Sequence, residues 1–558
     1  MMYRRERSTA GDWRAFRSAR VLVLVATMLT VLSVAPIPGM AAEDVSTTLV
    51  SVASDGTPAN SFSNSAEISG DGSVVVFISD ASNLVPGDSN GFRDVFMRKL
   101  TTGETVRISQ APDGTGGNGN SFSPSISADG SKIVYFSEAT NLVPGDTVLA
   151  DVFLYDVDTG ITTRVSETSD GQAANNHSSN PSISADGSVV VYESGATNLV
   201  PGMEDDLKTN IFRYDVGTKE TTLISATPAT DHHPGSFNPD VSGDGNLIVF
   251  ESYAWNFVPG DFPNDLYDVF LYDVTSGEYT RVSEAPDGTE AYDVSQWAVI
   301  SDDGSAVAYE SLAPNLVADD TNDTWDVFHY DIANDVTTRV SVASDGSEAN
   351  DASSGASISA DGALVAFESN ASNLVAGDSG TFNDVFAHDM GTGETVRLSV
   401  TADGSTPNGG SFDPAIAADG STVSYYSSSS DLVAGDTNGV ADVFVATIGT
   451  APSPGPGPST FQDIDGSVFA SDIEWLADAN ITRGCNPPTN DMFCPDGAVT
   501  RGQMAAFLVR ALQLTDDGGG NHFVDDDGSV FESDIAKLAA ANITRGCNPP
   551  TNDMFCPM

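Results

Sequence analysis

The chain of 558 residues is short of cations: 23 Lys and Arg stand against 79 Asp and Glu, a formal net charge of −56. Binding to nucleic acid needs cationic side chains facing phosphate, so that class of partner is excluded. Direct adhesion to an anionic lipid surface is disfavoured for the same reason. A divalent cation, a salty medium or plain solubility all remain compatible with the balance. Cysteine is absent before Cys485, which excludes a lipidated cysteine at the N-terminus. Histidine is scarce: His177, His232, His233, His329, His388 and His522 are all there are, and they do not recur as a repeated base would. Long apolar runs are missing beyond the first 36 residues, and helical periodicity is missing from residues 43–450.

The N-terminus has the form of an export signal over residues 1–42. Arg4, Arg5, Arg7, Arg14, Arg17 and Arg20 precede an apolar run, residues 21–36, and a small-residue site follows at Gly39-Met40-Ala41-Ala42. The alternative is an uncleaved anchor, but the run is short for the ~20 residues a span needs. No transmembrane anchor is expected once the signal is removed.

What is present is repetition. An Asp-Gly turn followed by an apolar run and a small polar end recurs seven times: ISGDGSVVVFIS at Gly72, ISADGSKIVYFS at Gly130, ISADGSVVVYES at Gly187 and VSGDGNLIVFES at Gly245. It continues as ISDDGSAVAYES at Gly304, ISADGALVAFES at Gly362 and IAADGSTVSYYS at Gly420. A fixed period of this size marks a repeat architecture. Each repeat holds four strand-like segments. In the third these are residues 181–184, 189–192, 210–215 and 221–225, with Asp186-Gly187 as the hairpin turn. Four short strands per repeat predict a mainly β fold, a seven-bladed propeller of four-stranded blades over residues 43–450. The seventh repeat ends at Thr447 without a fourth strand. Residues 47–56 (TTLVSVASDG) closely match 337–346 (TTRVSVASDG) and supply the missing strand from the other end of the chain. Such a ring leaves no exposed edges.

Two motifs carry the look of catalysis. Gly87-Asp88-Ser89-Asn90-Gly91 fits a nucleophile pattern and Gly377-Asp378-Ser379-Gly380 a serine-protease one, yet both are versions of one repeated loop. The same loop alternates oxygen-bearing residues as calcium loops do: Asp88, Asn90 and Asp94; Asp320, Asn322 and Asp326; Asp436, Asn438 and Asp442. Calcium is therefore a candidate cofactor, against the reading that Asp and Asn only shape the turn.

The repeats resemble the TolB-type, WD40-like propellers of exported bacterial proteins, in the Ser-Ala-Asp-Gly-Ser turn, the Asn-Leu-Val-Pro-Gly-Asp loop and Asp-Val-Phe-x-x-Asp. The resemblance implies the fold and leaves the role open.

Residues 451–459 form a Pro/Gly/Ser linker. Beyond it Phe461-Gln462-Asp463 and Phe523-Val524-Asp525 open two copies of a different repeat, 460–522 and 523–558, the second incomplete. Residues 471–477 read as an amphipathic helix, and Thr500 with Gln503 as the capping box of a helix over 501–512. Two identical GCNPPTNDMFCP segments place Cys485 near Cys494 and Cys547 near Cys556. Four cysteines allow three connectivities, and the duplication argues for two local disulfides, each worth about 2–3 kcal/mol. Zinc is the alternative, with neither C-x-x-C spacing nor a recurring histidine beside it. This tail resembles the S-layer homology module in its Phe-x-Asp opening, Ile481 to Gly484 and Val499-Thr500-Arg501-Gly502-Gln503-Met504-Ala505. The resemblance implies a small helical domain that anchors to cell-wall polysaccharide, with Thr500, Arg501 and Gly484 at the glycan. Gln503 replaces the motif's Glu, and Phe469 and Phe531 replace its usual Trp.

The expectation is therefore an exported cell-surface binding or scaffold protein, its propeller displaying a face for an unidentified protein or glycan. The alternatives are an exported hydrolase, favoured by histidine and carboxylate clustered at one end of the channel, and a structural surface-layer component.

Overall fold

The computed structural model describes residues 45–203, 208–226, 235–259, 266–378 and 382–448, together with Val509, Ile535 and Lys537 in the tail. The calls on residues 1–42, on the linker and on Gly484, Thr500, Arg501 and the four cysteines lie outside the described residues. Val509, Ile535 and Lys537 are helical, with Val509 and Ile535 buried.

Among the described residues, twenty-eight strands form seven four-stranded antiparallel sheets. Six blades are continuous in sequence. The seventh takes three strands from Ser411–Ile416, Thr422–Ser427 and Asp442–Ile448 and its fourth from Val45–Leu49. Val45 pairs with Ile448 and Leu49 with Phe444. The strand missing after Thr447 thus comes from the N-terminal side, as the repeat seams imply.

The repeated letters have physical reasons. In the third blade Ser184 Oγ donates to Asp186 Oδ1 (2.8 Å), Ser188 N donates to the same oxygen (2.8 Å), and Val189 N donates to Ser184 Oγ (3.0 Å). Gly187 then turns the chain at φ +69°, a conformation that costs glycine nothing. The second strand of each blade has a neighbouring blade on both faces, so it reads as an unbroken apolar run. Val189–Ser194 is buried throughout. Each blade stacks an aromatic pair across its middle strands, from Phe77–Phe96 in the first (5.9 Å between centroids) to Tyr425–Phe444 in the seventh (5.9 Å). Such pairs contribute about 0.5–1.5 kcal/mol beyond the area they bury. Between blades the core is shared: Val134, Leu154 and Val165 pack on Val190, Tyr192 and Phe212.

The Asp of Asp-Val-Phe is clasped by a serine from the end of the fourth strand. Ser109 Oγ donates to Asp94 Oδ1 (2.5 Å), Ser399 to Asp384 (2.6 Å), and across the ring closure Ser51 to Asp442 (2.6 Å).

The innermost strands differ from the expected 181–184 segment. In the third blade the strand begins earlier, at Ser178, and ends at Ile183. Its pairing register shifts between Ser179 and Ser182, and the same bulge recurs in all seven blades. The bulged residues are Ser65, Ser123, Asn180, Asn238, Trp297, Gly355 and Asp413, with φ between +43° and +61°. A bulge re-aims side chains, and here it turns one residue per blade into the central channel.

Candidate functional site

The oxygen-rich loops lead into the third strand of their blades, whose first residue is the last Asp of the set. Asp88, Asn90 and Asp94 do come together, but an arginine reaches them. Arg107 Nη1 donates to Asp88 Oδ1 (3.0 Å) and lies 3.6 Å from Asp94 Oδ2. Asn90 offers its amino group: Nδ2 donates to Asp94 Oδ2 (2.7 Å) and to Gly117 O (3.1 Å). In the fifth blade the carboxylates of Asp320, Asp326 and Glu348 converge, and Arg339 Nη1 sits 3.5, 3.6 and 2.5 Å from them. Asn322 Nδ2 donates to Asp326 Oδ2 (2.8 Å). Arg397 faces Asp378 and Asp384 in the same way. In these blades the cation that the carboxylates meet is a guanidinium. Burial still pushes Asp94 up to about 6, against the lowering pull of Ser109, Asn90 and Arg107. In the seventh blade Asp436, Asn438 and Asp442 hold the same loop positions, but Leu49 pairs with Phe444 where Arg107 pairs with Phe96.

Of the serine motifs, residues 87–91 and Gly377-Asp378 belong to these loops, and Ser379 and Gly380 lie outside the described residues. Each of the three described histidines is hydrogen-bonded away from them. His177 Nδ1 meets Ala150 N (3.1 Å), His329 Nε2 meets Gly362 O (3.1 Å) and His388 Nδ1 meets Thr395 Oγ1 (2.8 Å).

The central channel encloses about 740 Å³ and is lined by the bulged residues and their neighbours. Its lining includes Glu67, Asp240, Glu310, Glu368 and Asp413 and, among the described residues, no Lys, Arg or His. Glu67 and Asp413 line the channel and are exposed to its bore. Desolvation inside the ring pushes Glu67 up to about 8, with like charge from Asp413 and Asp240 adding to it. Asp413 rises to about 6, from desolvation first and Glu368 second. Asp240 accepts from Ser182 Oγ (2.6 Å) and Ile300 N (2.9 Å).

The mouth has two unlike arcs. Blades three to six carry Glu193, Glu251, Glu310 and Glu368, and each buttons onto the next blade. Asn238 N donates to Glu193 (3.0 Å), Trp297 N to Glu251 (2.9 Å), Gly355 N to Glu310 (3.2 Å) and Asp413 N to Glu368 (2.8 Å). Burial raises all four, Glu251 to about 7. Blades one, two and seven carry Ile78, Phe136 and Tyr426 at that place. Phe136 stacks on Phe122 at 5.2 Å and Tyr426 on Phe412 at 5.3 Å. Trp297 stands out in the ring. It is 53% exposed at φ +52°, where a bulky side chain is an outlier. The sequence reading missed this site. Its signal lay in the repeats, as YES, FES, AYES and AFES against FIS, YFS and YYS.

Residues 460–505 match the S-layer homology domain family. No curated protein sequence matches the chain. Among solved structures, TolB from Acinetobacter baumannii is similar at TM-score 0.33 and 15% identity, over 55% of this chain and 62% of that one. An oligogalacturonate lyase from Vibrio parahaemolyticus is similar at TM-score 0.44 and 13% identity, over 73% and 97%. An acylaminoacyl peptidase from Pyrococcus horikoshii is similar at TM-score 0.40 and 13% identity, over 66% and 50%. The chain therefore carries a seven-bladed β-propeller in residues 45–448 and an S-layer homology domain at 460–505.

Proposed function

We propose that this is an exported surface protein, held non-covalently on cell-wall polysaccharide by its tail and presenting the propeller channel to a ligand. The S-layer homology match at 460–505 carries the reading. Domains of that family are cell-wall anchors, and the Thr500-Arg501 pair falls inside the match. Arg501 is the cation for a carboxylated sugar, through paired charge-assisted hydrogen bonds. The channel takes a neutral or cationic ligand, because carboxylates line it without a countercharge. Trp297 offers a flat apolar face in the channel that Asn238, Asp240 and Asp413 also line, a combination suited to a neutral glycan or a polar peptide segment.

The test uses the full chain and purified wall polysaccharide. Arg501→Ala is expected to weaken binding about tenfold or more, since a charge-assisted hydrogen bond contributes roughly 1.5–3 kcal/mol. Arg501→Lys should recover only part, lacking the planar fork. Binding unchanged in a folded Arg501→Ala protein would overturn the assignment.

A further inference from the structure

Among the described residues, the rim loops of blades one, two, three, five and six balance their charge in two ways, and the seventh in neither. Blades one, five and six set two loop carboxylates against one arginine: Asp88 and Asp94 with Arg107, Asp320 and Asp326 with Arg339, Asp378 and Asp384 with Arg397. Blade two does so with Asp146 and Arg164 at 3.4 Å. Blade three loses the arginine, because Leu223 pairs with Phe212. It loses both acids with it: Met203 stands where Asp88 follows Val-Pro-Gly, and Asn210 stands where Asp94 opens the third strand. Met203 and Leu223 pack against the apolar core. At these three positions the charged residues have been exchanged for neutral ones.

Blade seven has made half of that exchange. Leu49 takes the arginine's place and packs against the core, yet Asp436 and Asp442 both stay. Asp442 is fully buried and accepts from Ser51 Oγ (2.6 Å) and Asn438 Nδ2 (2.5 Å). Asn438 Nδ2 also donates to Ala59 O (2.9 Å), and its amide oxygen accepts from Val440 N (3.0 Å). Asp436 is only 7% exposed, and among the described residues no cation or side-chain donor meets its carboxylate; the backbone N–H of Asn438 alone pulls against its burial. It holds the position from which Asp88 reaches a guanidinium at 3.0 Å. A buried carboxylate with so few partners is costly unless a cation meets it.

We propose that the seventh-blade loop binds a hard divalent cation of the calcium class, held by Asp436 and by the remaining lone pairs of Asp442, whose two oxygens already accept from Ser51 and Asn438, in the place an arginine fills elsewhere. Such an ion takes oxygen ligands from carboxylates and completes its shell with water. Asn438 positions Asp442 and is not itself a ligand, because both ends of its amide are engaged. The site straddles the ring closure: its acids come from the C-terminal strands, while Ser51, Ala59 and Leu49 come from the N-terminal segment. Ion binding therefore strengthens the seam that holds the ring shut. This inference is independent of the wall-anchoring reading.

The test compares the full chain with Leu49→Arg and Asp436→Asn, each dialysed against calcium chloride or a chelator. Metal analysis should find one calcium ion more per chain in the parent than in either variant. The parent's melting temperature should rise by several degrees on adding calcium, as for any ligand that binds only the folded state. Leu49→Arg should melt higher than the parent in chelator and gain nothing from calcium at this site. Equal calcium content in the parent and a folded Leu49→Arg protein would overturn the proposal, as would a parent that binds no calcium. If one variant fails to fold, the other decides the same comparison. Sodium or magnesium giving the same rise as calcium, with no calcium retained after dialysis, would also count against it.

Discussion

The propeller places carboxylates in two regions, the rim loops and the channel, and the two are compensated in opposite ways. At the rim Asp88, Asp146, Asp320 and Asp378 each face an arginine. Among the described residues, Glu67, Asp240 and Asp413 in the channel face neutral donors and other carboxylates, Glu368 included. A rim carboxylate that is paired and hydrogen-bonded stabilises the blade or leaves it neutral, and asks nothing of solvent. A channel carboxylate without a countercharge is tolerated because water, a proton or a ligand can reach it. The rim acids are therefore read as architecture and the channel acids as the surface open to a partner.

The comparison breaks most completely if the ring is opened. Deleting residues 43–56 removes the strand that pairs with Asp442–Ile448 and the Ser51 clasp on Asp442. A free ladder edge and half of a blade interface would be exposed. The expected result is loss of the cooperative melt of the whole propeller, or a fall in melting temperature of well over ten degrees. An unchanged melt would show that the seventh blade holds with three strands.

A narrower break removes one guanidinium. Arg107→Leu leaves Asp88 and Asp94 buried side by side, and losing one member of a buried pair typically costs about 3–5 kcal/mol. Adding Asp88→Met and Asp94→Asn reproduces the neutral set of blade three and should recover most of the loss. Chemical denaturation with an unchanged m value reads both. If the triple variant were no better than Arg107→Leu, the charge argument would fail and shape would have to explain blade three.

Much of this was legible in the sequence. Seven blades follow from the spacing of Gly72 to Gly420, and the closure follows from TTLVS at 47–51 standing for the strand absent after Thr447. The channel was not legible, for a physical reason. Repeats are recognised by what they share, and the channel is built from what they do not: Glu251 against Tyr426, Trp297 against Ser65. The bulge hid it further. Asn180 lies in a stretch with no strand-like alternation, and a register shift cannot be read from Ser-Ser-Asn-Pro-Ser-Ile. The arginines were seen only as part of a TTRVS strand pattern. Their meeting with loop acids some 19 residues earlier, as Arg107 meets Asp88, is a property of the folded blade.

pH sharpens the comparison. Desolvation raises Glu67 to about 8, Glu251 to about 7 and Asp413 to about 6 in the folded state. Such groups hold more protons folded than unfolded between about pH 4 and their folded values, so they make stability fall as pH rises through that window. The turn carboxylates act the other way. Asp403 is lowered to about 2 and Asp71, Asp129 and Asp186 are lowered too, so their contribution is present above about pH 4 and lost as pH falls below it. The melting temperature should therefore rise as pH falls from 8 to 5 and drop again below about 3.5. Glu251→Gln should flatten the upper limb, because the amide carries no charge to desolvate. A melting temperature that fell steadily from pH 8 to pH 5 would contradict the assignment of the channel acids.

The smallest effect is at Trp297, and it asks whether the channel gives up stability for its lining. At φ +52° an L-residue bears backbone strain of order 1–3 kcal/mol. The sixth blade places Gly355 at the equivalent bulge, φ +61°, without that strain. Trp297→Gly should relieve it, offset by about 0.5–1 kcal/mol for the added freedom of the unfolded chain. The net expectation is a gain of about 1 kcal/mol. Trp297→Ala keeps the Cβ and the strain, and separates backbone relief from loss of the ring. The indole is half exposed, so little packing is lost in either case. A stabilised Trp297→Gly protein beside an unimproved Trp297→Ala protein would mean that the fold carries the tryptophan at a cost, for contact with something the channel receives. If both variants were destabilised alike, the ring would be contributing to the blade, and Trp297 would belong with the rim acids as part of the architecture.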